Sequence, residues 1–152
     1  MIGAVHVGVG AALGAILRDR NSAFIAGLIS HAVSDALPHR DYRAEIEVPL
    51  LAAALAGIAA WKGTNSPEFW GGLGAIVPDI EHAAHVAGLI DPEHKVFPTH
   101  LDNGKYHGRA SQRRWPQLAV AVGSALAIAL MGRQAPRHSS CKARSPRPRL
   151  PR

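Results

Sequence analysis

The amino-acid sequence predicts an all-α protein, an antiparallel bundle of about five apolar helices followed by a basic tail. The apolar runs are rich in alanine, which favours helix. None of them alternates polar and apolar residues as a half-buried strand does. Charged residues and prolines separate the runs. A chain of 152 residues has room for one domain, which we place at residues 1–132, with the tail at residues 133–152.

The boundaries of the predicted helices follow from local signals. The first helix stops at the charged triplet 18–20, and Ser22 after it is a favourable helix cap for the second. Pro38 ends the second helix, whereas Pro49 falls in the first turn of the third, where proline is tolerated. Pro78 predicts a break in the fourth. In order, the predicted helices are residues 2–17, 23–37, 48–61, 69–90 and 117–131.

The apolar helices are expected to lie in a membrane. They lack the polar stripe of a soluble bundle's surface helices. Tryptophans flank three of them, at Trp61, Trp70 and Trp115, where an interfacial belt would place aromatic rings. Most runs are shorter than the roughly 20 residues that a span requires, so a soluble or membrane-associated bundle is the alternative. Membrane lipid is the expected partner.

The net charge of +6 at pH 7 comes from the tail. Residues 133–152 hold seven of the 17 basic residues and no acid, which leaves ten basic against 11 acidic side chains elsewhere. A segment so rich in arginine and proline buries too little apolar surface to fold alone, so we expect disorder and no specific nucleic-acid binding. Cys141, the only cysteine, lies there. A metal site in the helical domain must therefore use histidine and carboxylate ligands.

The first candidate motif pairs His31 with Asp35. Four residues apart on a helix, they share one face, one turn apart. An imidazole and a carboxylate so placed can bind one divalent cation together, or the carboxylate can orient the imidazole. A purely structural hydrogen bond is the alternative. His39 continues the line beyond Pro38 and is expected at the rim.

The second motif places Asp79, Glu81, His82 and His85 within seven positions of an apolar segment. Such groups are costly in apolar surroundings unless something neutralises them. Asp79 and His82, three apart, share a helix face. Helix capping by the acids after Pro78 is the alternative. It accounts for the two carboxylates but leaves the histidines unexplained.

A third group, His100, His107 and Arg109, lies in a polar stretch that reads as a loop. These residues could complete a metal site and hold an anionic oxygen, because arginine offers a planar fork of donors. A plain solvated loop is the alternative. In an up-and-down bundle this loop, the start of the first helix with His6, the end of the second helix and the end of the fourth all fall at one end. The sequence therefore predicts one shared metal site.

Three stretches resemble the bacterial membrane-bound metal-dependent hydrolases, which are similar to the zinc-dependent phospholipase C and P1 nuclease group. They are GLISHAVSDALPH at residues 27–39, VPDIEH at residues 77–82 and the late histidine pair. The resemblance covers about residues 1–132. It implies a helical protein of the bacterial inner membrane that acts on phosphoesters at a divalent-metal site. Matched residue by residue, the implied ligands are His31, Asp35, Asp79 and His82, with His107 and His6 as looser matches.

We therefore expect a metal-dependent hydrolase, a phosphoesterase that uses a metal-activated water. Glu81, next to His82, is its expected general base or an acid that supports this ligand, and Arg109 is its expected phosphate-binding residue. Six or seven ligands are too many for one tetrahedral zinc, so two ions are expected, zinc or else manganese. A non-catalytic membrane protein with a structural or transport metal site, or an adaptor that recruits a partner through its tail, are the alternatives. The expected metal ligands are His6, His31, Asp35, Asp79, His82, His100 and His107.

Overall fold

The computed structural model describes residues 1–97, 108, 111 and 113–131. Over these residues the chain forms five α-helices and a short 3-10 helix at Pro92–His94, with no β-strand. The all-α prediction is therefore confirmed, and the tail at residues 133–152 lies outside the described part. The helices are α1 Gly3–Leu17, α2 Arg20–Asp35, α3 Ala44–Lys62, α4 Pro67–Val86 and α5 Trp115–Met131.

Polar residues determine where the helices end and begin at the α1–α2 and α3–α4 turns, which are far from the histidines. α1 closes with Arg18 in the left-handed conformation at φ 60°, whose N–H bonds to the Gly14 carbonyl. The cap of α2 is Asp19, whose side chain accepts from the Ser22 N–H at 2.8 Å, so the cap expected at Ser22 was placed three residues too late. Ser66 caps α4 by accepting from the Phe69 N–H at 3.1 Å.

The predicted break at Pro78 is wrong, because α4 continues through it to Val86. Proline cannot donate to the Gly74 carbonyl one turn earlier. The Ala75 carbonyl beside it accepts a hydrogen bond from the His31 ring at 2.7 Å. A neighbouring helix thus bonds to the backbone next to the interruption, and close packing on both sides holds the helix in one piece.

α1 is the central helix, and α2, α3, α4 and α5 all pack against it. It runs antiparallel to α4, since Gly10 lies against Gly71 and Gly14 lies against Pro67. α2 also crosses α4 closely, with Gly27 against the Gly71 carbonyl. These glycines let three backbones approach without intervening side chains, a style of packing found in membrane bundles. The up-and-down order brings the start of α1, the end of α2 and the second half of α4 to one end.

The outward surfaces of several helices are apolar. None of the residues of α3 is buried, and it is the one helix among those described that is long and apolar enough to cross a membrane. α1 and α5 are apolar but shorter. On α5, Leu118, Val122 and Leu126 are each more than half exposed. The bundle therefore presents apolar side chains on the outer faces of α3 and α5.

Candidate metal centre

Side chains from three helices meet at the end of the bundle where α1 begins. α1 supplies His6, the last turns of α2 supply His31 and Asp35, and the middle of α4 supplies Asp79. His6, His31 and Asp35 are each at most 1% exposed, whereas the Asp79 side chain is 24% exposed. The structure thus brings together four of the seven residues that the sequence predicts as metal ligands.

Asp35 lies between the two imidazoles. Its Oδ1 is 2.9 Å from Nε2 of His6, and its Oδ2 is 3.1 Å from Nε2 of His31. The amino group of Met1 also lies 2.6 Å from Oδ1. Both carboxylate oxygens of a nearly inaccessible side chain therefore lie against nitrogen atoms, and the amino group among them offsets part of the cost of burying the charge.

The His31 ring is held in one orientation by the backbone of α4. Its Nδ1 donates to the Ala75 carbonyl at 2.7 Å, and because a carbonyl only accepts, Nδ1 carries the proton. Nε2 then faces Oδ2 of Asp35 at 3.1 Å and Oδ1 of Asp79 at 3.9 Å. A nitrogen lone pair aimed at two carboxylates is stable only with a cation between them, either a proton on Nε2 or a metal ion.

His6 stacks on His31, with ring centroids 4.2 Å apart and planes 25° from parallel. Two imidazolium rings at that distance would repel, so the pair favours at most one ring proton beyond the neutral state. Nδ1 of His6 is buried and has no hydrogen-bond partner among the described residues. A buried ring nitrogen without a hydrogen bond destabilises the fold, and His6 carries such a nitrogen.

Three of these residues can each offer one ligand atom to a single ion. The ligand atoms of His6, His31 and Asp79 all lie within 4.8 Å of one another. Ligands of a tetrahedral zinc lie about 3.3 Å apart, given bonds of about 2.0–2.1 Å. Small side-chain rotations would therefore close the site around an ion. Two imidazoles and a carboxylate are a common catalytic zinc set, and Asp35 lies beside it as a fourth ligand or a supporting carboxylate.

The other predicted site residues lie elsewhere or outside the described part of the chain. Glu81, the expected general base, accepts from the Val96 N–H at 2.6 Å and the Phe97 N–H at 3.0 Å, so it fastens the segment after the 3-10 helix to α4. His82 is half-buried on α4 and is not in the group formed by His6, His31 and Asp79. The residues outside the described part are His100, His107 and Arg109.

The segment that precedes α5 returns to this end of the bundle. The Gly108 N–H donates to the Asp35 carbonyl at 2.6 Å, and the Ser111 N–H donates to the His39 carbonyl at 2.7 Å. A Cβ at residue 108 would collide with the Leu37 carbonyl, so this approach requires glycine. The end of α2 is therefore covered by backbone from the stretch that the sequence analysis read as a loop.

Sequence reasoning missed the backbone group that orients His31 and the carboxylate that pairs with His39. The Ala75 carbonyl orients His31, and its position three residues before Pro78 is a signal that could have found it, since a proline leaves nearby helix carbonyls available. Asp41 was missed as the partner of His39. His39 was expected at the rim of the site, but it is only 2% exposed. Its ring is held in this buried position by a hydrogen bond to the Leu37 carbonyl.

The fold and the cluster together define an all-α protein with a candidate metal centre of histidine and aspartate. No protein-family model, no curated protein and no solved structure matches the chain.

His39 is expected to hold its proton to higher pH than an ordinary histidine. Burial disfavours the charged ring, but Asp41 at 3.2 Å from Nε2 and the Leu37 carbonyl at 2.6 Å from Nδ1 outweigh it and raise the pKa of His39 above 6.5. The stability from this raised pKa is fully present below about pH 6.5 and is lost as the pH rises through the folded-state value. An NMR titration of the His39 ring measures it. Asp41→Asn should lower the pKa, and a wild-type value at or below 6.5 would contradict the assignment.

Proposed function

We propose that the cluster of His6, His31 and Asp79 binds one divalent cation, zinc being the best match to the ligand types, with Asp35 in support. One observation carries this proposal: Nδ1 of His31 is tied to the Ala75 carbonyl, so Nε2 faces two carboxylates, an arrangement that requires a cation and that a metal ion would satisfy. Borderline-soft nitrogen and hard oxygen ligands in this ratio suit zinc. At this cluster the described residues supply ligands for one ion, and the two-ion expectation stays a prediction that depends on His100 and His107.

We further propose that the protein is a metal-dependent hydrolase acting on phosphoesters. When bound, a divalent cation supplies a water of lowered pKa and a positive charge for phosphoryl oxygens. Asp79 is the partly exposed member of the cluster, so a bound ion would have its open position on this side. His31 and Asp35 hold the buried side, and the Ala75 carbonyl fixes the ring that faces the open position. The sequence resemblance supports this reaction class.

The burial of the cluster favours a second candidate, a non-catalytic metal site that is structural or takes part in ion transport. His6, His31 and Asp35 are nearly inaccessible. If Asp35 becomes the fourth ligand, the coordination shell is closed, as in structural zinc sites. This candidate requires bound metal and predicts no turnover.

We also propose that the protein resides in a membrane, with α3 crossing the bilayer. Its 19 residues span about 28 Å, close to the roughly 30 Å hydrocarbon thickness of a bilayer. Ile25, Ile29 and Val33 form an exposed apolar stripe along α2, and α5 exposes a second one. So much apolar surface is costly in water but not against lipid.

The metal proposal is tested by the zinc content of protein purified in detergent, stripped with a chelator and reloaded. We expect about one zinc per chain. Asp79→Asn should weaken zinc binding by more than the 10–100-fold typical for loss of a supporting hydrogen bond, since it removes a ligand. Glu93→Gln is the matched control, because Glu93 belongs to a second, fully exposed group with Asp91 and His94.

Hydrolysis of bis(p-nitrophenyl) phosphate by the same samples separates the two candidates. Zinc- or manganese-dependent turnover that disappears in Asp79→Asn supports the hydrolase. One bound zinc without turnover supports the non-catalytic site. Wild-type protein that binds no zinc, or an Asp79→Asn variant that binds it as tightly, would contradict both.

A further inference from the structure

A groove separate from the metal cluster lies between the start of α1 and the start of α5. Its volume is about 290 Å³. We call the apolar lining residues Val5, Leu118 and Ala121 the floor, and the polar lining residues Arg40, Tyr42 and Arg114 the rim. This volume is near the lower limit of small-molecule sites, so it would hold part of a chain-like ligand while the rest extends outward.

The rim is positively charged, and part-buried hydrogen bonds hold the backbone of Arg40. Two arginines line the groove, and none of its described lining residues is acidic. Gln117, which is 4% exposed, donates to the Arg40 carbonyl at 2.9 Å, and its side-chain oxygen accepts from the Ile2 N–H at 3.3 Å. This amide bridge holds the backbone of Arg40 over the junction of α1 and α5. Guanidinium groups so placed suit a phosphate, which they bind through paired donors.

The groove opens onto the apolar surface of α5. Leu118 forms part of the floor and is 65% exposed, and Val122 and Leu126 continue the same apolar face. Trp115, beside Arg114 at the start of α5, is 66% exposed. Adjacent tryptophan and arginine residues at the start of an apolar helix are typical of a protein surface that lies in the headgroup region of a bilayer.

From these features we infer that the groove binds an anionic phospholipid of the surrounding bilayer. One acyl chain lies on Val5, Leu118 and Ala121, and Arg40 and Arg114 donate to the phosphate. The occupant follows from the combination of an apolar floor, a cationic rim and continuity with the exposed face of α5. A free phosphate ion would use only the rim, and a neutral lipid only the floor. The inference rests on the proposed membrane location but not on the metal site.

Native mass spectrometry of the full chain in detergent micelles tests the inference. With added dioleoyl phosphatidylglycerol we expect one retained lipid per chain, and much weaker retention of dioleoylglycerol. The double variant Arg40→Gln/Arg114→Gln should bind phosphatidylglycerol about tenfold or more weakly. Arg43→Gln is the matched control, since Arg43 is 82% exposed and does not line the groove.

A second pair of variants tests the floor. Ala121→Phe fills the groove and should abolish retention, whereas Ala119→Phe, at an exposed position of the same helix that does not line the groove, should not. Equal retention of both lipids, unchanged binding in the double arginine variant, or full competition by inorganic phosphate would overturn the inference. Alkaline carbonate extraction of cell membranes tests the location separately. Release into the supernatant would contradict the membrane proposal, whereas a membrane-retained chain without bound lipid would contradict the groove alone.

Discussion

Replacing Asp35 with asparagine is expected to lower the free energy of unfolding by about 3–5 kcal/mol, as breaking a buried ion pair does. Asp35 is 1% exposed and contacts Nε2 of both His6 and His31. Asparagine keeps the shape but removes the charge that compensates the two buried rings. Urea or thermal unfolding in detergent, followed by circular dichroism, measures the loss.

The same variant should lose its response to zinc. Added zinc should raise the melting temperature of the wild-type protein, since an ion that binds only the folded state stabilises that state. It should raise that of Asp35→Asn much less. Asp91→Asn is the control, because this carboxylate is 78% exposed and its ion-pair contact to His94 is 3.8 Å long. An Asp35→Asn protein with wild-type stability and a full zinc response would refute the central role of this carboxylate.

Replacing Gly71 with alanine is expected to cost about 1–3 kcal/mol, the usual penalty for overpacking a close contact. A Cβ at this position would meet the carbonyl oxygen of Gly10 across the interface between α1 and α4. Because the obstacle is backbone, no side-chain rotation relieves it and the helices must separate. Ala75, one turn further along α4, orients His31. Zinc binding should therefore weaken together with stability.

Two other glycines provide controls in which alanine is favourable. Gly57 on α3 and Gly123 on α5 are in helix interiors, and a Cβ at either has nothing within 4 Å. Gly57→Ala and Gly123→Ala should each stabilise the fold by up to about 1 kcal/mol, the difference in helix propensity. If Gly71→Ala behaved like these controls, the close approach of α1 and α4 would be wrong.

The helices were predictable from the sequence because their signals are local. Alanine-rich runs, prolines near the first turns and charged connections fixed five helices and their order. The pairing of His31 with Asp35 followed from a spacing of four, and the structure shows it at 3.1 Å. His6 could be assigned to the same end because the up-and-down order of short-linked helices leaves little choice.

These local signals do not determine which side chains from different helices meet at the site. Spacing suggested that Asp79 and His82 act together, but helix position alone does not say which side of α4 faces α2. Glu81 has the residue type of a general base, yet its oxygens bond to the Val96 and Phe97 amides, contacts that form only when the chain after α4 folds back. Pro78 predicted a break because helix propensity does not include the neighbouring helices against which the continuous α4 packs.

The central position of α1 has a consequence for biogenesis. The ribosome makes α1 before any of the four helices that enclose it, and α5 follows only after a further 97 residues. Until α4 is made, the glycine-lined side of α1 lacks its partner, and His6 lacks Asp79. The packing of α1 can therefore be completed only after the last of the five described helices has been synthesised.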